Sequence, residues 1–251
     1  MKHVEVKTER NFDMQDLTIV TCDYNTPNLI KNLRRSIRFH MGENVKILVI
    51  NTSTINEKYE FPDITQVNIS GLTHGRAVNI AMGLVDTRYM LLIDSDVLIL
   101  NECNKPYNRF LEGGFALMGN VSGDRGGKKL FPRVDPWFCF MDLHQLKNHD
   151  IKFFDEERTK KSRQLIRVYD VGSTMFEDVM KNGLLVANVQ LENKYFKHYE
   201  GMSWRTKKYN PLAPDTDIDF GGTHNNKQLY EYGLKVEDQY EKDILKIYEN
   251  S

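Results

Sequence analysis

Residues 89–96 read Tyr-Met-Leu-Leu-Ile-Asp-Ser-Asp, an apolar run that ends abruptly in two carboxylates. A short, continuous apolar run bounded by polar residues is typical of a buried strand. In extended chain, residues two apart point to the same side, so Asp94 and Asp96 can face one ligand together. Two like charges this close repel each other, and a hard divalent cation such as Mg²⁺ or Mn²⁺ relieves that repulsion. We therefore predict a ligand or metal site after this strand, the alternative being a solvated turn that Asp94 caps.

Two strand–helix units precede this stretch. Apolar runs at residues 17–21 and 45–50 predict strands, and helices are predicted to begin at Pro27 and behind Gly75. Continuous apolar strands that alternate with helices are typical of a parallel sheet covered on both faces, in which ligands bind beyond the carboxyl ends of the strands. The polar strand exits that should meet at that edge are residues 22–25, 51–53 and 94–96.

The second half of the chain departs from this alternation. Strands are predicted at residues 136–141 and 184–189, and a helix is predicted at residues 173–182. Apolar residues recur every three or four positions between Leu229 and Ile247, which predicts an amphipathic helix at the C-terminus. The sheet and its covering helices together predict an α/β protein.

Composition excludes several classes of protein. The chain has 251 residues, a formal net charge of −1 and 27% charged residues, which excludes a polyelectrolyte and gives no general attraction to nucleic acid. No apolar run is long enough for a membrane span, and the polar N-terminus does not resemble a signal peptide. The three cysteines are scattered, so no disulfide framework is expected. We expect one domain over residues 1–251, soluble and cytoplasmic, with its oligomeric state open.

Two blocks of sequence resemble family 2-type glycosyltransferases with the GT-A fold. In the first, residues 17–25 read Leu-Thr-Ile-Val-Thr-Cys-Asp-Tyr-Asn and residues 33–37 read Leu-Arg-Arg-Ser-Ile. In the second, residues 74–83 read His-Gly-Arg-Ala-Val-Asn-Ile-Ala-Met-Gly, and the Asp-x-Asp stretch follows at residues 89–97. The resemblance covers residues 17–100 well and then continues more loosely.

The resemblance implies a GT-A-like domain with a mostly parallel central sheet. Residues 1–100 would bind a nucleotide-diphosphate sugar, with UDP favoured, and residues 101–251 would bind an acceptor. The implied reaction is metal-dependent transfer of the sugar to a hydroxyl of a glycan or another acceptor, with inversion at the anomeric carbon and Mn²⁺ or Mg²⁺ as cofactor. Two alternatives stay open: a nucleotidyltransferase of related fold, and a non-catalytic module that binds sugar or nucleotide.

For the metal, the resemblance implies that Asp94 contacts the ribose or a metal-bound water and that Asp96 ligates the ion. A C-terminal histidine is implied as a further ligand, which is His198 in this sequence, with His224 as the competitor. Imidazole is a common protein ligand of divalent metals. The remaining residues expected to contact the nucleotide-sugar are Thr21, Asp23, Tyr24, Asn51, His74, Gly75, Arg76 and Ser95.

The second half is expected to supply the general base and the acceptor contacts. Asp170 is the candidate base, because inverting transfer needs a carboxylate that takes the acceptor proton; capping of the following helix is its alternative role. Trp137 and Trp204 are expected to form an acceptor platform, with simple aromatic burial as the alternative. The Gly-rich, basic stretch at residues 119–133 is expected to be a lid, or else solvated loop charge.

Overall fold

The computed structural model describes residues 14–54, 58–124, 129–202 and 226–249, without the side chains of residues 226–233. After a short 3₁₀ turn at Met14–Asp16, strands and helices alternate. The strands are β1 (Leu17–Asp23), β2 (Lys46–Asn51), β3 (Ile64–Asn68), β4 (Tyr89–Ile93), β5 (Val97–Ile99), β6 (Leu117–Gly119), β7 (Val121–Ser122), β8 (Arg133–Val134), β9 (Phe138–Asp142), β10 (Val186–Asn188) and β11 (Phe196–His198). The helices are α1 (Pro27–Met41), α2 (His74–Leu84), α3 (Asn104–Gly113), α4 (Leu143–Asn148), α5 (Glu156–Ser162), α6 (Ser173–Lys181) and α7 (Asn226–Glu249).

Seven of the strands form a central sheet in the order β10-β6-β9-β4-β1-β2-β3. Strand β1 lies parallel to both β2 and β4, with Leu17 opposite Tyr89, and β3 continues parallel to β2. Strand β9 alone among them runs antiparallel to its neighbours β4 and β6. The mostly parallel sheet predicted from the sequence is therefore confirmed, and the carboxyl ends of β1, β2 and β4 lie at one edge.

Each face of the sheet carries its own apolar core. On one face, alternate residues of β1 and β4 such as Ile19 and Leu91 pack against α1 and α3. On the other face, Val20 and Leu92 pack against α2 and α6. The amphipathic pattern of α1 explains its docking, because Ile30, Leu33 and Ile37 are buried on one side while Lys31 is exposed.

Several predicted elements appear within one or two residues of their expected bounds. Strand β9, helix α6 and strand β10 lie where the apolar pattern of the second half predicted them, and α7 forms the amphipathic C-terminal helix. Strand β3 was not predicted, since it lies at the sheet edge and none of its residues is fully buried. Part of the predicted lid forms a β7–β8 hairpin, and residues 125–128 lie outside the described residues.

A second, two-stranded sheet lies beside the main one. Strand β11 pairs antiparallel with β5, which directly follows the Asp-x-Asp stretch, and His198 lies opposite Val97. Helix α7 covers this pair through a separate apolar cluster that includes Leu98, Tyr199 and Tyr240. Among the described helices, none has the length and apolar character that a bilayer crossing needs.

Candidate active site

A cleft of about 420 Å³ opens at the carboxyl ends of β1, β2 and β4. Both halves of the chain contribute to it, because the loop before β9, the start of α6 and the end of β11 meet the three strand exits there. The sequence-predicted site residues that line the cleft are Asp23, Tyr24, His74, Asp94, Ser95, Asp96, Trp137, Asp170 and His198.

Asp94, Asp96 and His198 form a cluster in which one ligand atom from each lies within 4.8 Å of the others. The pairing of β5 with β11 creates it: His198 Nε2 lies 3.2 Å from Asp96 Oδ1, and the backbone N–H of Tyr199 donates to the Asp96 carbonyl at 2.9 Å. Two carboxylates suit Mg²⁺ or Mn²⁺, and a neutral imidazole is a common additional ligand of divalent metals. This donor set therefore fits the divalent metal that the resemblance implies.

Neighbouring charges shift the pKa values of Asp94 and His198 in this cluster. Burial raises the pKa of Asp94, the Asp96 charge adds to that rise, and His74 opposes it; His74 Nε2 lies 3.8 Å from Asp94 Oδ1. Burial opposes a charged His198, but the hydrogen bond and charge of Asp96 outweigh it and raise the His198 pKa. A divalent cation would compete with the proton on His198, since a metal ligates the neutral imidazole.

Trp137 packs against the face of the His198 ring. The two rings are stacked with centroids 5.0 Å apart and planes inclined by 17°. The backbone carbonyl of Trp137 also accepts a hydrogen bond from the Asp94 N–H at 3.3 Å. Trp137 thus lines the cleft and packs against the candidate metal ligand His198, while its role as an acceptor platform stays a prediction.

Asp170 lines the same cleft from the segment just before α6, and its carboxylate has two defined partners. Oδ2 accepts from Arg133 Nη1 at 2.5 Å, and Oδ1 accepts from the Val171 N–H at 2.8 Å. The residue at the N-cap of α6 is Gly172, with a φ of 83°, so the Asp170 side chain does not cap the helix. The cap role considered from the sequence is therefore wrong, whereas its role as a base stays a prediction.

Arg133 is a cleft residue that sequence reasoning did not single out. Its side chain is 7% exposed. The guanidinium pairs with Asp170 and lies 3.6 Å from Asp135. It also lies 5.7 Å from the centroid of the Trp137 ring. The sequence offered only the basic composition of the stretch that ends at this residue. The structure shows that Arg133 lines the cleft.

Asp23 is buried at the end of β1, and its carboxylate is bound by protein groups. It accepts from the Tyr59 hydroxyl at 2.5 Å, from the Thr26 N–H at 2.8 Å and hydroxyl at 2.6 Å, and from the Ser53 hydroxyl at 3.2 Å. These bonds tie the exits of β1 and β2 together. In contrast, the neighbouring Tyr24 side chain is 58% exposed at the cleft.

Four residues expected to contact the nucleotide-sugar do not line the cleft. Thr21 and Asn51 are buried, and Asn51 Oδ1 accepts from the Ser53 N–H at 2.9 Å. Arg76 is ion-paired with Glu156 on α5. Gly75 packs closely against Phe154. The remaining predictions, Trp204 and the competitor His224, lie outside the described residues.

Two solved structures share this architecture. A mannosyltransferase from Pyrobaculum calidifontis, solved with GDP-Man and Mn²⁺, matches with a TM-score of 0.52 and 14% identity over 70% of this chain and 55% of its own. A galactosyltransferase solved with donor and acceptor sugar analogues matches with a TM-score of 0.50 and 13% identity, over 87% of this chain and 95% of its own. No protein-family model matches the sequence, and no curated protein matches it.

The chain therefore has the GT-A fold, the fold of nucleotide-sugar glycosyltransferases. It spans about half the length of the mannosyltransferase. The predicted fold class is confirmed.

Proposed function

We propose that this protein is a glycosyltransferase that moves a sugar from a nucleotide-diphosphate donor to an acceptor hydroxyl. The observation that carries the proposal is the Asp94–Asp96–His198 cluster, which lies at the carboxyl edge of a GT-A sheet. In open parallel sheets this edge is where ligands bind. The two neighbours with the same fold were solved with GDP-Man and with donor and acceptor sugar analogues, which supports the same class of substrate here.

A divalent cation, Mn²⁺ or Mg²⁺, is the proposed cofactor. Asp96 and His198 would ligate it, and Asp94 would contact it through water or bind the donor ribose. Bound there, the cation would neutralise the charge that develops on the departing diphosphate. Mn²⁺ in the mannosyltransferase structure supports this assignment.

Asp170 is the proposed general base. The acceptor oxygen forms a bond to the anomeric carbon, the bond from that carbon to the diphosphate breaks, and the proton of the hydroxyl passes to the Asp170 carboxylate. Arg133 keeps this carboxylate fixed at the cleft, because both its buried position and its second partner Asp135 restrain the guanidinium. Attack from the side opposite the diphosphate inverts the anomeric configuration.

Tyr24, Thr52 and Leu72 also line the cleft, and they are proposed to contact the nucleobase of the donor. The resemblance favoured UDP, and Asn51, one of the residues expected to contact the nucleotide-sugar, is buried with its Oδ1 bonded to the Ser53 backbone. UDP remains the proposed nucleotide, and GDP is the alternative that the neighbour bound to GDP-Man favours. A donor panel must therefore include both nucleotides.

Donor hydrolysis with a panel of UDP- and GDP-sugars, with and without Mn²⁺, tests the proposal. We expect one donor to be hydrolysed, only with the metal, and Asp96→Asn to lose this activity. Asp86→Asn is the matched control. Asp86 precedes β4, is exposed and forms an ion pair with Lys46. Nucleotide binding without turnover of any donor would point to a non-catalytic module. Pyrophosphate release from a nucleoside triphosphate and a sugar phosphate would point to a nucleotidyltransferase.

A further inference from the structure

Strand β11 carries His198 between two residues that face the C-terminal helix. The Tyr199 hydroxyl donates to Asp243 Oδ2 on α7 at 2.6 Å, and Lys197 Nζ donates to the same oxygen at 3.2 Å. Side chains alternate along a strand, so the two neighbours of His198 point one way and His198 points the other, toward Asp96. Asp243 on α7 therefore accepts hydrogen bonds from both residues that flank the candidate metal ligand His198.

The ladder that holds β11 is short. Within the described residues it pairs with β5 over three positions and takes no part in the seven-stranded sheet. Packing against α7 adds to the support of this strand. Tyr199 is 2% exposed, and its ring meets the Tyr240 ring edge-on with centroids 4.8 Å apart, in a cluster that also contains Ile244. The position of β11 thus depends on α7 as well as on its own backbone pairing.

The Asp243 contacts are charge-assisted and largely buried. Burial alone would raise the pKa of Asp243, but hydrogen bonds from Tyr199, Gln239 and Lys197 outweigh it and lower the pKa. The residue is therefore ionised near neutral pH. Hydrogen bonds to an ionised acceptor are roughly twice as strong as neutral ones.

We propose that Asp243 is a positioning residue for the metal site, which couples the docking of α7 to divalent metal affinity through β11. The inference rests on the proposed metal site at Asp94, Asp96 and His198. Removing a group that hydrogen-bonds a metal ligand directly costs about 10–100-fold in metal affinity. Asp243 bonds the chain neighbours of His198 and not His198 itself, so we expect its removal to cost up to about 10-fold. Because coupling is reciprocal, metal binding should in turn stabilise the docked helix.

Mn²⁺ titration followed by electron paramagnetic resonance of the free ion tests the first half. We expect Asp243→Asn to weaken Mn²⁺ binding measurably, by up to about 10-fold. Asp238→Asn on the same helix is the matched control, since Asp238 is exposed and pairs with Lys242 one turn away; its Mn²⁺ affinity should equal that of the wild type. Tyr199→Phe removes one hydrogen bond and keeps the ring, so it gives a second, milder loss if Asp243→Asn does not fold.

Hydrogen exchange of the α7 backbone amides tests the reciprocal half. Mn²⁺ should slow exchange over residues 234–249 in the wild type and leave it unchanged in Asp96→Asn. A purely structural Asp243 would lower thermal stability without either metal effect. Equal Mn²⁺ affinities in the wild type and in folded Asp243→Asn or Tyr199→Phe would overturn this inference alone, whereas a wild type that binds no Mn²⁺ would overturn the proposed metal site with it.

Discussion

His198 Nε2 lies 3.2 Å from Asp96 Oδ1, although the two residues belong to opposite halves of the chain. The β5–β11 pair brings them together at the edge of the sheet where ligands bind. The candidate metal site is therefore a product of tertiary pairing, and the roles of its neighbours follow from how they face the same cleft.

Asp170→Asn should separate donor binding from transfer. The amide keeps the size of the side chain but cannot accept the acceptor proton, so we expect transfer to fall by ~10²–10⁴-fold while donor affinity stays unchanged. Steady-state kinetics and donor titration measure the two quantities. Asp86→Asn should change neither. Turnover of Asp170→Asn close to the wild-type rate, or NMR evidence that the product retains the anomeric configuration, would remove Asp170 from the mechanism.

Two glycines of helix α2 should respond oppositely to alanine. A Cβ at Gly75 would lie 2.5 Å from Phe154 Cγ, whereas a Cβ at Gly83 meets nothing within 4 Å. Gly75→Ala should therefore lower the free energy of unfolding by about 1–3 kcal/mol, and Gly83→Ala should raise it by up to about 1 kcal/mol through helix propensity. Urea unfolding measures both. Equal stabilities would contradict the tight packing of α2 against Phe154.

The stability contributed by Asp142 should depend on pH. Burial alone would raise the pKa of Asp142, but hydrogen bonds from Arg88 and Gln145 outweigh it and lower the pKa. A carboxylate whose pKa is lowered in the folded state stabilises the fold at a pH above its ordinary pKa. This stabilisation is lost as the pH falls through the pKa of the folded state. Asp142→Asn should therefore cost about 1–3 kcal/mol near pH 7, and less below about pH 4.

Urea unfolding of the wild type and Asp142→Asn across this pH range checks the prediction. The exposed Asp150, which follows α4, provides the control substitution Asp150→Asn. A stability difference for Asp142→Asn that stays constant from neutral to acid pH would show that the charge of Asp142 contributes nothing.

Much of the fold could be predicted because its central strands are continuous apolar runs. Strands β1, β2 and β4 are buried on both faces, so their sequences differ sharply from the polar exits that follow. Strand β3 escaped prediction because an edge strand that is only half-buried needs few apolar residues. The reversed direction of β9 was equally hidden, since a fully buried strand has the same composition in either direction.

The sequence predicted the cleft residues that directly follow a strand. It did not predict the residues whose position depends on bonds between side chains. Asp94 and Asp96 follow β4 and do line the cleft. Asp23 and Asn51 are the last residues of β1 and β2, yet their side chains bond to neighbouring protein groups. Sequence position alone does not separate this use from ligand binding. Arg133 was missed because its place in the cleft depends on its partners Asp135 and Asp170.

Calorimetry of UDP and GDP binding to the wild type and to Asp96→Asn, with and without Mn²⁺, tests the metal site. We expect Mn²⁺ to strengthen binding of one nucleotide to the wild type, and we expect Asp96→Asn, still folded by circular dichroism, to lose this enhancement. Mn²⁺-linked binding that is unchanged in Asp96→Asn would contradict the assignment of the metal site to Asp94, Asp96 and His198.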